Sequence, residues 1–283
     1  MVVRIVCYLW TMHRSFLFVL FLTLLALGCS KQGKNEVISE KDLIHYTVLK
    51  VFPHDVTAFT QGLTVDRGKL YESTGQANSW IAEVDIASGS QDKKIVLDKK
   101  YFGEGITILN NKIYQLTWQN HIGFVYDAKT FTKIGEFQYL HEGWGITHND
   151  KNLIVSDGTY KLYFLDTLTL KVADTLLVKD HGIAIDNLNE LEFIEGYLYA
   201  NRWQTNLILK IDPANGNIVG KIDLSALVEK ARQMNSRADV LNGIAYEKKT
   251  GILLVTGKLW PALFAIRLQK MDTTSQTARA ATQ

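Results

Sequence analysis

The chain has 283 residues, of which 47% are hydrophobic and 21% charged, a composition typical of a folded protein with a sizeable core and not of a disordered or fibrous one. The first 28 residues contribute Arg4 and Arg14 and no acid, and the rest of the chain carries no net charge. This balance argues against a nucleic-acid-binding protein, which needs a basic face to neutralise phosphates. Both cysteines, Cys7 and Cys29, lie near the N-terminus, which excludes a disulfide framework and a cysteine-based zinc site.

Residues 1–28 have the features of a secretory signal. Arg14 precedes an apolar run from Phe16 to Leu27, and the small Gly28 stands directly before Cys29. The segment Ala26-Leu27-Gly28-Cys29 resembles a lipobox with an imperfect second position, which predicts lipidation of Cys29. We therefore expect an exported bacterial lipoprotein, periplasmic or at the cell surface and anchored in the membrane through Cys29. Soluble export and an uncleaved anchor are the alternatives, but the run is shorter than the roughly 20 residues that a helix needs to cross a bilayer.

Residues 29–43 are polar and predict a tether, and residues 269–283 predict a disordered tail. Between them, residues 44–268 contain short apolar runs with period-two alternation, separated by Gly, Asn and Asp turns. This pattern is typical of β-strands. The one convincing helical segment is 225–235 (SALVEKARQMN).

Five repeats organise residues 44–268. A first strand-like element recurs at intervals of 40 to 53 residues, as QGLTV (61–65), EGITI (104–108), WGITH (144–148), NELEF (189–193) and NGIAY (242–246). Two further strand-like runs follow each copy, and a turn and a fourth run follow the first four. Four strands in each repeat of this length predict an all-β, five-bladed β-propeller, and the Gly-His and Trp-Asp marks of WD repeats are missing.

The fifth repeat ends at its third strand, which leaves one blade incomplete. The segment HYTVLKVF (45–52) has no place in the first repeat. We expect it to supply the outer strand of the last blade and to close the ring, because closure removes an open sheet edge. The predicted helix accounts for the longest interval between repeats.

Polar or aromatic residues stand at the start of each first element, which we expect to be the innermost strand of its blade. Five blades would then bring different side chains to one cavity, as in ligand sites. Alternatively, these residues hydrogen-bond channel water, and the tryptophans belong to the ordinary core. The residues at these positions are Gln61, Glu104, Trp144, Asn189 and Asn242, with Trp118, Trp203 and Lys258 at equivalent ends of the second strands.

No metal-binding or nucleophile motif accompanies these residues. The seven histidines lack HxxxH and HxH spacing, so we expect no metal site and no cofactor. GxSxG, phosphate-loop and dinucleotide-binding motifs are also missing.

Longer motifs allow a family comparison. AFTQGL, YESTG, YFGEGIT, DGT, LNELEF, NRWQT, DVLNGIAY and TGKLWP resemble the glutaminyl-peptide cyclotransferases of the plant and bacterial type, over about His45 to Leu268. The resemblance implies a five-bladed propeller and a metal-independent acyltransferase that converts the N-terminal Gln of peptides or proteins to pyroglutamate and releases ammonia. The stretch KDHGIAID (179–186) departs from the family pattern. We expect a monomer.

The resemblance also implies roles for nine residues. Glu104 would transfer protons, while an amide or the Lys258 ammonium would stabilise the oxyanion, with the choice left open. A non-catalytic peptide-binding lipoprotein is the main alternative, and a calcium-dependent lactonase or esterase propeller is a further one, although Glu104 is the only acid among the five strand starts. The implied catalytic residues are Glu104, Asn189, Gln61 and Lys258, and the implied substrate-binding residues are Trp118, Trp144, Trp203, Phe59 and Phe102.

Overall fold

The computed structural model describes residues 38–269, whose strands form five antiparallel sheets of four strands each. The innermost strand of every sheet lies beside the innermost strands of two other sheets, so the sheets close into a ring around a central channel. The prediction of an all-β, five-bladed β-propeller is confirmed. The predicted signal segment, Cys29, most of the predicted tether and all but the first residue of the predicted tail lie outside the described residues.

The first strand, β1 (Tyr46–Pro53), follows a short 3-10 helix (Glu40–Asp42) and belongs to the last blade. Blades 1 and 2 come next, and each runs from the channel outward. Blade 1 consists of β2 (Thr60–Asp66), β3 (Lys69–Thr74), β4 (Trp80–Val84) and β5 (Gln91–Val96). Blade 2 consists of β6 (Gly103–Leu109), β7 (Lys112–Thr117), β8 (Ile122–Asp127) and β9 (Lys133–Gln138).

Blade 3 and blade 4 are separated by a two-stranded hairpin, β14 (Lys179–Asp180) and β15 (Ile183–Ala184), which is formed by the stretch that departs from the family pattern. Blade 3 consists of β10 (Ile146–His148), β11 (Asn152–Ser156), β12 (Lys161–Asp166) and β13 (Val172–Leu177). Blade 4 consists of β16 (Leu188–Ile194), β17 (Tyr197–Arg202), β18 (Leu207–Ile211) and β19 (Ile218–Asp223).

Blade 5 is completed by the N-terminal strand, as the missing fourth run of the last repeat predicts. Its strands from the channel outward are β20 (Leu241–Glu247), β21 (Ile252–Gly257), β22 (Ala262–Leu268) and β1. The antiparallel register places Tyr46 opposite Leu268 and Pro53 opposite Ala262. Both ends of the described chain therefore share one sheet, and the ring has no unpaired seam between its first and last repeats.

The helix α1 (Ser225–Met234) lies between blades 4 and 5, where the sequence predicts it. Its apolar face is formed by Leu227, Val228 and Ala231, which are buried among side chains of both blades. None of the helices in the described range is both long and apolar enough to cross a membrane.

Apolar side chains hold neighbouring blades together. Each of five buried apolar clusters contains side chains from two adjacent blades. In one of these clusters, Leu63 and Leu70 of blade 1 pack with Leu254 and Leu263 of blade 5. Burial of one such leucine stabilises the fold by about 1.5–3 kcal/mol. The core therefore lies between the sheets, and the channel is free to carry polar groups.

Glycines let the inner strands approach each other closely at the centre of the ring. A Cβ at Gly62 would lie 2.5 Å from the Ile106 nitrogen, and a Cβ at Gly105 would lie 2.7 Å from the Ile146 nitrogen. A larger residue at either position would force backbones apart. These glycines belong to the first repeat element, and they place the residues that precede them next to one another.

Candidate active site

β-bulges direct the predicted site residues toward the channel. In four blades the inner strand shifts register against the second strand at the repeat position of the site residue, which is Gln61, Glu104, Asn189 or Asn242. An extra residue in one strand bends it and re-aims the side chain there. Blade 3 differs from the prediction, because its inner strand begins at Ile146 and Trp144 precedes it.

A cavity of about 200 Å³ lies at the end of the channel where the inner strands begin, and it collects every side chain that the sequence singles out for catalysis or substrate binding. Their convergence agrees with the repeat analysis, while their chemical roles remain predictions. The lining residues are Phe59, Gln61, Phe102, Glu104, Trp118, Trp144, Asn189, Trp203 and Lys258.

Glu104 is held by a chain of amides at the bottom of this cavity. Gln61 Nε2 donates a hydrogen bond of 3.0 Å to Glu104 Oε1. The Gln61 side-chain oxygen Oε1 accepts in turn a hydrogen bond from Asn242 Nδ2 at 3.3 Å. The same Asn242 nitrogen also donates to the backbone carbonyl of Thr60 at 3.0 Å. The Gln61 amide group is therefore oriented, and one of its two N–H groups is bound to the carboxyl group.

Burial and charge act on Glu104 and Lys258 in opposite directions. Glu104 is 4% exposed, and this burial raises its pKa well above the ordinary value against the opposing effect of the Lys258 charge. Burial likewise lowers the pKa of Lys258, although the charges of Glu104 and Asp239 oppose the shift. A carboxyl group with a raised pKa is suited to exchanging protons near neutral pH.

Lys258 forms no ion pair or side-chain hydrogen bond within residues 38–269. Its Nζ lies 4.7 Å from the centroid of the Phe59 ring, a cation–π contact. The ammonium group is thus placed at the cavity with its donors available.

Asn189 adds a hydrogen-bond acceptor to the cavity lining. The side chain is 3% exposed, and its Oδ1 has no hydrogen-bond partner in the part of the chain that the structure describes. Because an unpaired buried carbonyl is costly, such an atom is suited to a ligand that brings a donor.

Two groups of aromatic rings wall the cavity. In the first group Phe102 contacts Phe59 edge-on, with centroids 6.2 Å apart, and also contacts Trp118 at 5.7 Å. In the second group the rings of Trp144 and Trp203 are perpendicular, with centroids 5.5 Å apart. These rings make the site apolar around its few polar groups, which is typical of small-molecule pockets.

Glu142 does not line the cavity but contacts two of its tryptophans, and the repeat pattern does not reveal it. It lies in the connection between β9 and β10, outside the aligned strand elements, and its carboxylate accepts the indole N–H groups of both Trp118 and Trp144. The only sequence signal for it is its place two residues before Trp144.

Glu190 occupies the position that is glycine in the other four repeats, and its side chain spans the channel. Its two carboxyl oxygens accept from the backbone nitrogens of Leu63, at 3.2 Å, and Ile244, at 2.8 Å. Burial, reinforced by the neighbouring Glu192, raises the pKa of Glu190 well above its usual range. We interpret Glu190 as a tie between the inner strands of blades 4, 1 and 5.

No group of three His, Cys, Asp or Glu side chains in residues 38–269 is arranged to hold a metal ion. The expectation of a metal-independent reaction, which rests on the histidine spacing and the family resemblance, stays a prediction.

Comparisons with known proteins identify the family. The family model described as glutamine cyclotransferase matches residues 20–268. The chain is 40% identical over 245 residues to a glutaminyl-peptide cyclotransferase of Arabidopsis thaliana, covering 84% of this chain and 77% of the relative. The crystal structure of Myxococcus xanthus glutaminyl cyclase superposes with a TM-score of 0.76 at 35% identity, covering 81% of this chain and 99% of that one. With its propeller fold and the cavity around Glu104, this chain belongs to the glutamine cyclotransferase family.

Proposed function

We propose that the protein cyclises the N-terminal glutamine of peptides and proteins to pyroglutamate and releases ammonia, with Glu104 as the proton-transferring group. The observation that carries this assignment is a buried carboxyl group with a raised pKa, held by an amide inside an aromatic cavity and facing a lysine. The family and the names of the relatives support the same reaction.

The cavity suits one terminal residue and not a long segment of peptide. Its volume of about 200 Å³ is below the roughly 300–1,000 Å³ of pockets for drug-sized ligands. The aromatic walls would cover the aliphatic part of the glutamine side chain, and the free Asn189 Oδ1 would accept from the α-amino group. Holding both ends of one residue favours the folded-back rotamer in which amine and amide meet.

The reaction begins with a proton transfer. The α-amino group of a peptide has a pKa of about 7.7–8.0, so most of it is an ammonium ion at neutral pH. The ionised Glu104 carboxylate removes one proton, and the free amine attacks the side-chain carbonyl carbon. A carbon–nitrogen bond forms, and the carbonyl oxygen becomes an oxyanion.

Glu104 then completes the proton balance. Its carboxyl group gives the stored proton to the leaving side-chain nitrogen and accepts one from the attacking nitrogen. Collapse of the oxyanion breaks the bond to the former amide nitrogen, and the released ammonia takes the remaining proton from Glu104 and departs as ammonium. This restores the carboxylate and leaves pyroglutamate on the peptide. The nitrogen-for-nitrogen exchange at an acyl carbon makes the enzyme an acyltransferase.

The hydrogen bonds of the cavity narrow the choice of oxyanion donor. Gln61 Nε2 gives one of its two N–H groups to Glu104, whereas Lys258 Nζ, Trp203 Nε1 and Asn189 Nδ2 have no hydrogen-bond partner within residues 38–269. Since Asn189 is assigned to the α-amino group, we infer that Lys258 and Trp203 receive the developing negative charge. One such donor typically contributes about 10²–10³ in kcat.

Every step has a protein group to carry it, so the proposed reaction needs no metal. Activity should survive exhaustive chelation at neutral pH. Loss of activity that only zinc or calcium restores would overturn the metal-independent mechanism, and dependence on calcium would favour the lactonase alternative.

Ammonia release is the test of the activity. The purified protein, incubated with a dipeptide that begins with Gln, should release one ammonia per peptide and lower the peptide mass by about 17 units, the mass of NH₃ lost on ring closure. A matched dipeptide that begins with Asn should remain unchanged, since its shorter side chain would require a four-membered ring. Binding of the Gln dipeptide without ammonia release would instead support a peptide-binding propeller.

We further propose that the protein is exported as a lipoprotein and works as a monomer at the periplasmic or cell-surface face of a membrane. The support is the sequence from Arg14 to Cys29. Cys29→Ser should release the protein from membranes and leave its specific activity unchanged. Retention of the Ser variant would contradict lipidation.

A further inference from the structure

Glu142 connects two of the cavity walls. Its Oε2 accepts from Trp118 Nε1 at 2.7 Å and from Trp144 Nε1 at 2.9 Å. Its other oxygen accepts from Gln119 Nε2 at 3.0 Å. Trp118 follows the second strand of blade 2 and Trp144 precedes the inner strand of blade 3, so one carboxylate ties together walls from two blades.

The same hydrogen bonds determine the charge of Glu142. Partial burial acts to raise its pKa, but hydrogen bonds from Gln119, Trp144 and Trp118, with the nearby His121, outweigh burial and hold the pKa below its ordinary value. Glu142 is therefore ionised at neutral pH. Its negative charge adds to the effect of burial in raising the pKa of Glu104, and the Lys258 charge acts against both.

The loop that carries Glu142 is fixed by packing. His141 Nδ1 donates to the Glu142 carbonyl at 2.7 Å, and the imidazole stacks on Tyr163, with centroids 4.0 Å apart and planes 7° apart. On the other side, a Cβ at Gly143 would lie 2.6 Å from the Tyr139 hydroxyl, so the chain fits closely there. The carboxylate is thus held in place before any substrate arrives, as expected of a group that organises a site.

We propose that Glu142 is a positioning residue, whose carboxylate fixes the indoles of Trp118 and Trp144 as cavity walls and supplies a fixed negative charge beside the reacting groups. The proposal rests on the proposed function. It also separates the roles of the tryptophans, because two indole N–H groups are bound by Glu142, and Trp203 Nε1 alone among the three stays available to the substrate.

A purely structural role for Glu142 makes different predictions. In that case removal of its charge would change the stability of the protein and leave KM and the pH profile of kcat/KM unchanged. Two variants separate charge from geometry: Glu142→Gln removes the charge at nearly the same shape, whereas Glu142→Asp keeps the charge on a shorter side chain that reaches the two indoles less well. Glu136→Gln is the matched control, because Glu136 forms an exposed ion pair with Lys133 at 2.8 Å on strand β9.

The first readout is the pH profile of kcat/KM on a Gln dipeptide, whose acidic limb reports ionisation of Glu104 in the free enzyme. With Glu142→Gln the acidic limb should move to lower pH, because a negative charge near Glu104 is lost. KM should rise about tenfold, because the hydrogen bonds that hold the Trp118 and Trp144 indoles are no longer charge-assisted. Glu142→Asp should raise KM with a smaller shift of the limb. Glu136→Gln should change neither quantity.

The second readout does not depend on activity. In a ¹H–¹⁵N spectrum of the full chain, two indole N–H cross-peaks should move upfield in Glu142→Gln, because an amide accepts a weaker hydrogen bond than a carboxylate. A folded Glu142→Gln variant with unchanged indole cross-peaks, or with KM and the acidic limb equal to those of the parent, would overturn the proposal. A parent enzyme that releases no ammonia would overturn the proposed function instead, and the indole shifts would still decide the position of Glu142.

Discussion

The channel below the cavity holds a carboxyl group whose ionisation should make stability depend on pH. Burial raises the pKa of Glu192 from 4.5 to about 8, although hydrogen bonds from the Tyr246 nitrogen and the Thr147 hydroxyl oppose the shift. The folded state therefore favours the neutral form. Its contribution to the free energy of unfolding is complete below pH 4.5 and is lost as the pH rises toward 8.

The substitution Glu192→Gln tests this contribution. The Gln carbonyl can still accept from the Tyr246 nitrogen, which lies 3.1 Å from Glu192 Oε1, and its amide nitrogen can donate to the Thr147 hydroxyl at the other oxygen. Each pKa unit corresponds to about 1.4 kcal/mol, so the full effect across this range is several kcal/mol, ~5 at most. That is a large share of the ~5–15 kcal/mol that stabilises a typical domain.

Chemical denaturation at fixed intervals between pH 5 and pH 8 measures the effect. The parent should lose stability across this range more steeply than Glu192→Gln, and the variant should be the more stable of the two at pH 8. The pKa of His54 is also raised, because attraction to Glu72 outweighs the lowering effect of burial, and the pKa of Glu190 is raised by burial. His54 is present in parent and variant, so its effect cancels in the difference. Glu190 is also present in both, but the charge of Glu192 reinforces its raised pKa, so the difference measures Glu192 together with its coupling to Glu190. Parallel curves for the two proteins would refute the assignment of a neutral Glu192.

Two further substitutions test the cavity. Lys258→Met removes the cation that lowers the pKa of Glu104, so the acidic limb of kcat/KM should move to higher pH, and kcat should fall about 10²–10³-fold if Lys258 binds the oxyanion; an unmoved limb and an unchanged kcat would contradict both roles. Trp203→Ala removes an aromatic wall and an indole donor, so steady-state kinetics should show a higher KM together with a lower kcat. An unchanged KM would contradict the role as a wall, and an unchanged kcat would contradict the role as a donor.

The repeat pattern was sufficient to predict the five blades, because the same strand element recurs five times, with a glycine at its second position in four of the five copies. The incomplete fifth repeat also predicted closure by residues 45–52, since a lone sheet edge is unfavourable. Helix α1 was predictable because it is the one segment with helical character inside a long repeat interval. The same alignment placed Gln61, Glu104 and Asn189 at equivalent strand positions, and the structure brings them to one cavity.

Other features depend on contacts that no repeat position encodes. The register shifts that aim the inner-strand residues arise from pairing between strands, and the commitment of the Gln61 amide to Glu104 depends on contact across two blades. Glu142 lies in a connection outside the aligned elements, so only the fold reveals that it holds two tryptophans. The role of Glu190 could not be predicted for another reason. It replaces a glycine of the repeat, and the two backbone nitrogens that it binds belong to strands distant in sequence.

The central claim is that Glu104 moves the protons, and its most direct test is the kcat of Glu104→Gln on a Gln dipeptide. The Gln amide can still accept from Gln61 Nε2, and it removes the cost of burying an ionisable group, so the variant should fold with stability equal to or above that of the parent. It cannot take up and return a proton, so kcat should fall by about 10²–10⁴ while the Gln dipeptide still binds. A folded Glu104→Gln enzyme with a kcat within about threefold of the parent would remove Glu104 from the mechanism and direct attention to Lys258.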